Sequence, residues 1–295
     1  MKNFFKVVDI DDVYAHRASF PVVDSEILPL ASAEGRVLAA AITADLDIPG
    51  FTRSTMDGYA LQGAATFGAT ESNPGYLTVV GSVAMGEQPG FRVGPGEAVR
   101  IATGGMLPQG ADAVMMIEHT EALDDNTIGI YKSVAPGQHV VAKGEDIALG
   151  QTLLTSGQPV RPQEAGLLAA MGCETVCVFR KPRIGIISTG DEVVPVAEVP
   201  GPGQIRDVNS TTLSAMTVAA GGQPRVYGIV KDNFDRLKTT CARALAENDM
   251  VLISGGSSVG MRDFTIEAFE AQAEAQVMVH GVSISPGKPT ILARS

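Results

Sequence analysis

The sequence has little cysteine: Cys173, Cys177 and Cys241 are its only three in 295 residues. An odd count cannot close into a paired framework, and the spacing matches no zinc motif, so a reducing cytoplasm is the expected compartment. Cys173 and Cys177 stand four apart in a strand-like run, where free cysteine serves as a small core-facing hydrophobe. Basic residues are also short, with 22 Lys and Arg against 33 Asp and Glu and a net charge of -11. Such a surface repels nucleic acid and anionic membranes, so neither is an expected partner. An anionic ligand then needs local help from backbone amides, a few placed cations or a bound metal. No apolar run approaches a membrane span, and the N-terminus lacks a charged region followed by an apolar stretch. There is no fixed-period repeat, no P-loop and no dinucleotide fingerprint. His16, His119, His139 and His280 lack a nucleophile-elbow partner, which argues against a hydrolase triad.

What is present describes a folded, soluble protein of two or three domains, 45% hydrophobic and 19% charged. Asp9 to Ala18 opens on a cap-capable Asp with Asp12 three residues on, which predicts a helix. The Ala- and Leu-rich run Ser32 to Ala41 predicts a second, ended by the stretch Asp45 to Pro49. Leu77 to Val83, Ala98 to Ala102, Ala113 to Glu118 and Thr127 to Val134 are short β-like runs separated by Gly and Pro. Pro159 to Met171 predicts a helix and Glu174 to Phe179 a strand.

After Arg180 the pattern alternates: strands over Arg183 to Ser188, Arg225 to Val230 and Met250 to Ser254, helices over Ser210 to Ala220, Phe234 to Ala246 and Phe264 to Ala273. That order implies a parallel sheet, and two of its strands are apolar on both faces, as when helices cover both sides. Val282 to Arg294 starts a further strand with no covering helix after it, so the expectation is a chain cut short.

Five loops could carry chemistry. Ser188-Thr189-Gly190-Asp191-Glu192 leaves the C-terminal end of an apolar strand, where open α/β sheets bind ligands; a turn with exposed carboxylates is the plainer alternative. Ser254-Gly255-Gly256-Ser257-Ser258-Val259-Gly260 follows another such strand, with Arg262 and Asp263 next. Its glycines and hydroxyls suit an oxyanion cradle, or a simple tight turn. Pro286-Gly287-Lys288-Pro289-Thr290 presents one lysine that could grip an anion or simply be solvated. Arg53, Ser54 and Asp57 lie in a run of small residues from Pro49 to Ala60, and Thr103 with two glycines lies between Arg100 and Pro108. These features alone support a soluble multidomain α/β protein that binds a small anionic ligand.

Together the loops resemble the molybdopterin molybdenumtransferase family, whose eukaryotic relative is the E domain of gephyrin. The likeness rests on Ser54-Thr-Met-Asp-Gly-Tyr-Ala60, the run Thr103 to Val114, Lys143-Gly-Glu-Asp146, Arg161-Pro-Gln163, Ser188 to Glu192, Gly255 to Gly260 and Pro286-Gly-Lys-Pro289, in family order. It implies a discontinuous elongated linking domain over 1–53 and 147–180, a β-rich domain over 54–146, and a molybdopterin-binding α/β domain over 181–295 that resembles molybdopterin adenylyltransferase. It also implies a further C-terminal β domain beyond this chain.

The implied reaction takes adenylylated molybdopterin and molybdate, places molybdenum on the dithiolene sulfurs and releases AMP, with magnesium or another divalent cation. By the same likeness Asp57, Thr103, Glu192, Asp263 and Lys288 are the catalytic set. Ser188, Thr189, Gly190, Gly255, Gly256, Ser257, Ser258, Gly260, Pro286 and Gly287 bind the pterin substrate, and Asp191, Glu192 and Asp263 hold the metal. A homodimer is implied, with the site formed between subunits and molybdopterin adenylyltransferase as pathway partner. Two positions depart from the family pattern: Ser285 stands where relatives often carry lysine, and His139-Val-Val-Ala142 where many carry arginines. The competing functions are a scaffold that binds pterin without turnover and the adenylyl transfer step itself. Clustered carboxylates disfavour the first, and the long N-terminal half disfavours the second.

Overall fold

The structure is a computed structural model that describes residues 7–255, 259–272 and 275–295, with 259–264 described by backbone alone. Two compact units divide the chain. One comprises Met1–Ala39, Gly157–Gly166 and Cys173–Ser295, the other Ala40–Ser156 and Leu167–Gly172.

The second unit is built on a six-stranded sheet in the order Ala113–Met116, Gly58–Leu61, Glu97–Ile101, Gly75–Ser82, Thr127–Ile130, Thr120–Ala122. All neighbours are antiparallel except Gly75–Ser82 with Glu97–Ile101. Side chains alternate along a strand, so Tyr59 and Leu61 enter one apolar cluster with Leu77, Met115 and Ile130. Ala60 enters another with Val93, Val99 and Val114. Apolar packing on both faces explains why Gly58–Leu61 is wholly buried. The four β runs expected here are present, although the last ends at Ile130 rather than Val134 and Ile117–His119 forms a short 3-10 turn.

In the first unit, strand Arg183–Thr189 lies between Gln223–Val230 and Met250–Ser254, parallel to both. Helices Val208–Ala219, Phe234–Glu247 and Val259–Glu270 alternate with these strands, as their sequence periodicity implied, although the third begins at Val259 rather than Phe264 and takes up the end of the expected loop. Asp207 and Asn233 cap the first two helices through their side-chain oxygens, accepting from the backbone N–H groups of Ser210 and Arg236. Ile187, Val230, Leu237, Cys241 and Ala244 form the core on this face. Burial there pushes the Cys241 thiol up to about 11, so it is an inert core group. Cys173 and Cys177 are only half-buried: alternation along strand Thr175–Phe179 points Val176 and Val178 inward rather than Cys177, and Cys173 precedes the strand.

Asp9 caps helix Ile10–Ala15 with the expected Asp12 capping box, and a 3-10 turn continues to Ser19. No helix forms over Ser32 to Ala41. Arg36 pairs with Glu26 and donates to the Phe179 carbonyl, while Val37 and Leu38 bridge to Pro159 and Val178. Leu38 is fully buried by this route, so tertiary packing overrides the run's helix propensity. The C-terminal run from Val282 is mostly turn, and its strand Ile291–Arg294 pairs antiparallel with Gln276–His280, a strand absent from the expectation. Among the described residues no helix is long and apolar enough to cross a membrane.

Candidate active site

In the Ala40–Ser156 part, Asp57 and Thr103 meet although 46 residues separate them. One Asp57 oxygen, Oδ1, accepts from the Thr103 backbone N–H at 2.7 Å and from its Oγ1 at 3.0 Å. Thr103's N–H, reinforced by its hydroxyl, holds the Asp57 carboxyl below the usual carboxylate range. The pair sits at the surface, where two loops are tied together: Ser54 N–H donates to Gly105 O, and Gly104 N–H to Ser54 O. Gly58 makes the junction possible, since a Cβ there would lie 1.9 Å from the Met115 carbonyl oxygen. Val140–Val141 pairs with Arg53–Ser54 and so sets Arg53 beside Val141.

In the α/β part, three loops converge at the C-terminal ends of the parallel strands. Ser188 and Thr189 are both 2% exposed. Their hydroxyls face structure: Ser188 Oγ donates to Asp207 Oδ1 at 3.1 Å, and Thr189 Oγ1 to Ser254 O at 3.3 Å. Gly255 approaches this strand so closely, at a φ of 121°, that a Cβ would stand 2.2 Å from Thr189 O. Asp191 and Glu192 are exposed. Lys231 Nζ fastens their loop by donating to the carbonyls of Asp191 and Val193, and Asp232 N–H donates to Asp191 Oδ1. Burial, aided by the charges of Asp191 and Glu192, raises the Asp232 carboxyl above its ordinary value, and Asp232 Oδ1 is buried without a partner.

Pro286, Gly287 and Lys288 occupy the turn of their own hairpin, where Val282 N–H donates to Lys288 O and Thr290 N–H to Gly287 O. No described hydrogen bond joins them to the Ser188–Glu192 loop. Gly256, Ser257 and Ser258 lie outside the described residues. Gly260 and Asp263 fall in helix Val259–Glu270, but their side chains lie outside the description too. Among the described residues, no three His, Cys, Asp or Glu side chains form a metal cage.

Sequence reasoning passed over Asp207 and Asp232. Asp232 follows strand Gln223–Val230, so a strand-end search extended from the loops after Arg183–Thr189 and Met250–Ser254 to the loop after this third strand finds it. Asp207 carries no such signal, since only folding brings it to Ser188.

Residues 8–172 match the model described as "MoeA N-terminal region (domain I and II)" and residues 185–295 the one described as "Probable molybdopterin binding domain". The chain belongs to the MoeA family. The molybdopterin molybdenumtransferase of a Nostoc species is 38% identical over 92% of this chain and 62% of its own length. The enzyme of that name from Bacillus subtilis is 36% identical over 92% of this chain and 64% of its own length. A crystal structure of a molybdopterin biosynthesis MoeA protein from Pyrococcus horikoshii OT3 superposes with a TM-score of 0.85 at 34% identity, over 97% of this chain and 72% of that one. This chain thus spans under two thirds of the length of these curated relatives.

Proposed function

We propose that the protein inserts molybdenum from molybdate into adenylylated molybdopterin, with release of AMP. The observation that supports this most is the convergence of Asp191, Glu192 and Asp232 where the parallel strands end, beside Gly255. Repelling carboxylates with a buried, unpartnered oxygen suit a hard cation with oxygen ligands better than they suit an anion. Asp191 and Glu192 would hold magnesium here, a cation that needs only one or two protein carboxylates. When bound, it neutralises the diphosphate of the substrate.

The chain's own residues then do two things. Asp191 and Glu192 hold the metal side of the diphosphate, while the backbone at Gly255 comes close enough to line it. Asp57, ionised and with Oδ1 fixed by Thr103, presents Oδ2 as an acceptor of constant orientation. Catalysis by these groups is positioning and charge stabilisation. Asp263, Lys288, Gly256, Ser257, Ser258, Gly260, Pro286 and Gly287 belong to the same reading as substrate- or metal-facing residues. So do a homodimer, a cytoplasmic setting and a pathway place after molybdopterin adenylyltransferase.

The test is AMP release from adenylylated molybdopterin, with magnesium and molybdate, by the wild-type chain and by Glu192→Gln. The expected loss is on the order of 100-fold, the scale of removing one preorganised electrostatic partner. Binding of the substrate with no AMP release by the wild type would favour a scaffold instead.

A further inference from the structure

An open cleft of about 660 Å³ lies beside the Ser188–Glu192 loop, lined by Val193, Val194 and Ile229 together with Asp207, Ser210 and Lys231. Apolar walls with a few polar groups at one end are the usual make-up of a small-molecule subsite. Two of its polar groups are more than nine-tenths buried: Asp207 is 7% exposed and Ser210 8%.

The hydrogen bonding of these two is incomplete in a particular way. Asp207 Oδ1 accepts from Ser188 Oγ and from the Ser210 backbone N–H, which leaves Oδ2 without a partner among the described residues. Ser210 Oγ is buried with no partner at all. Burying the Ser210 hydroxyl unsatisfied costs about 1–3 kcal/mol, whereas Asp207 Oδ2 keeps contact with solvent and is open to a donor, so a ligand that supplied an N–H and an acceptor would be favoured. Lys231 does not make this an anion site, because its ammonium already serves the carbonyls of Asp191 and Val193. With Asp207 and Glu198 both on the lining, the cleft favours a neutral ring bearing N–H groups over a phosphate.

We propose that this cleft holds the aminopyrimidine edge of the substrate, with an N–H of that edge, the pterin's ring N–H or adenine's exocyclic amino group, donating to Asp207 Oδ2 and a ring acceptor meeting Ser210 Oγ once its hydroxyl turns about χ1. This rests on the function proposed above, whose substrate carries two such edges, that of the pterin and that of adenine. Ser188 thereby acts through Asp207, fixing its carboxylate, and does not itself touch the ligand.

The substitution that isolates the idea is Asp207→Asn. Asn is as good a helix cap as Asp and its Oδ1 can keep both existing bonds, but it turns the cleft-facing acceptor into a donor. Binding of a free pterin and of AMP, measured separately by calorimetry on the full chain, should show at least about tenfold weakening for one of them. A second variant, Ser210→Ala, removes a hydroxyl that has no partner in the free protein. Its unfolding midpoint should therefore hold at the wild-type value or rise, while binding of the same ligand weakens.

Loss of pterin binding places the pterin ring in the cleft, and loss of AMP binding alone places adenine there; both uphold the recognition chemistry. Unchanged binding of both ligands by Asp207→Asn overturns the inference. If AMP release by that variant is also unaltered, the proposed function survives without it. A wild-type chain that binds neither ligand removes both.

Discussion

Replacing Gly58 by alanine tests the packing that seats Asp57. The added Cβ would lie 1.9 Å from Met115 O, 2.9 Å from its carbonyl carbon and 3.0 Å from Ile117 N, all backbone atoms that no side-chain rotation can clear. One strand must recede by more than about 1 Å to restore van der Waals separation. Gly58 stands opposite Met116 on one side and Ile101 on the other, and Ile117 N–H donates to Asp57 O at 3.0 Å, so the retreat disturbs the hydrogen bonds that join this strand to the edge strand Ala113–Met116. Overpacking and one or two weakened backbone bonds together cost about 2–4 kcal/mol. Urea unfolding followed by circular dichroism reads this directly. Gly90→Ala is the control, since a Cβ at Gly90 meets nothing within 4 Å. A loss below about 1 kcal/mol for Gly58→Ala would refute the claim that close approach fixes this glycine.

Asp249 supplies a pH test of the α/β unit. Arg180 binds its carboxylate through both guanidinium nitrogens, at 2.6 and 2.7 Å, and the Arg183 N–H adds a third bond, holding the carboxyl down to about 2. A depressed pKa contributes stability that is present above the unfolded value near 4 and lost as pH falls through about 2. Partial exposure of the pair reduces that contribution to about 1 kcal/mol. Asp249→Asn should remove it at neutral pH and flatten the acid limb of the unfolding midpoint between pH 4 and 2; an unaltered limb would contradict the assignment. Thr103→Val keeps the N–H bond to Asp57 and deletes only the hydroxyl bond, so the Asp57 carboxyl should move part of the way back toward its ordinary value. The acid limb of AMP release should then shift to higher pH, and an unmoved profile would show that Asp57's ionisation does not limit the reaction.

How much was legible in the sequence depended on the range of the cause. The alternation from Arg183 to Glu270 reads correctly because strand and helix periodicities are local, and Asp9 and Asp12 sit within one turn of each other. The loops at strand ends were found by the same local logic. Ser32 to Ala41 misled because its local preference is helical, whereas Arg36 and Leu38 find their partners among residues 26, 158, 178 and 179. Strand Gln276–His280 was missed because its pairing with Ile291–Arg294 lies across an irregular turn.

By itself, then, the amino-acid order determined the alternating strands and helices from Arg183 to Glu270 and the glycine-bearing turns after them, together with the family likeness of its motifs. Tertiary structure alone decided that Asp57 is clamped by Thr103, that Ser188 spends its hydroxyl on Asp207, and that Asp232 joins Asp191. Each of these pairs spans 19 to 46 residues. Such meetings follow from strand register and backbone approach, which no short-range pattern encodes.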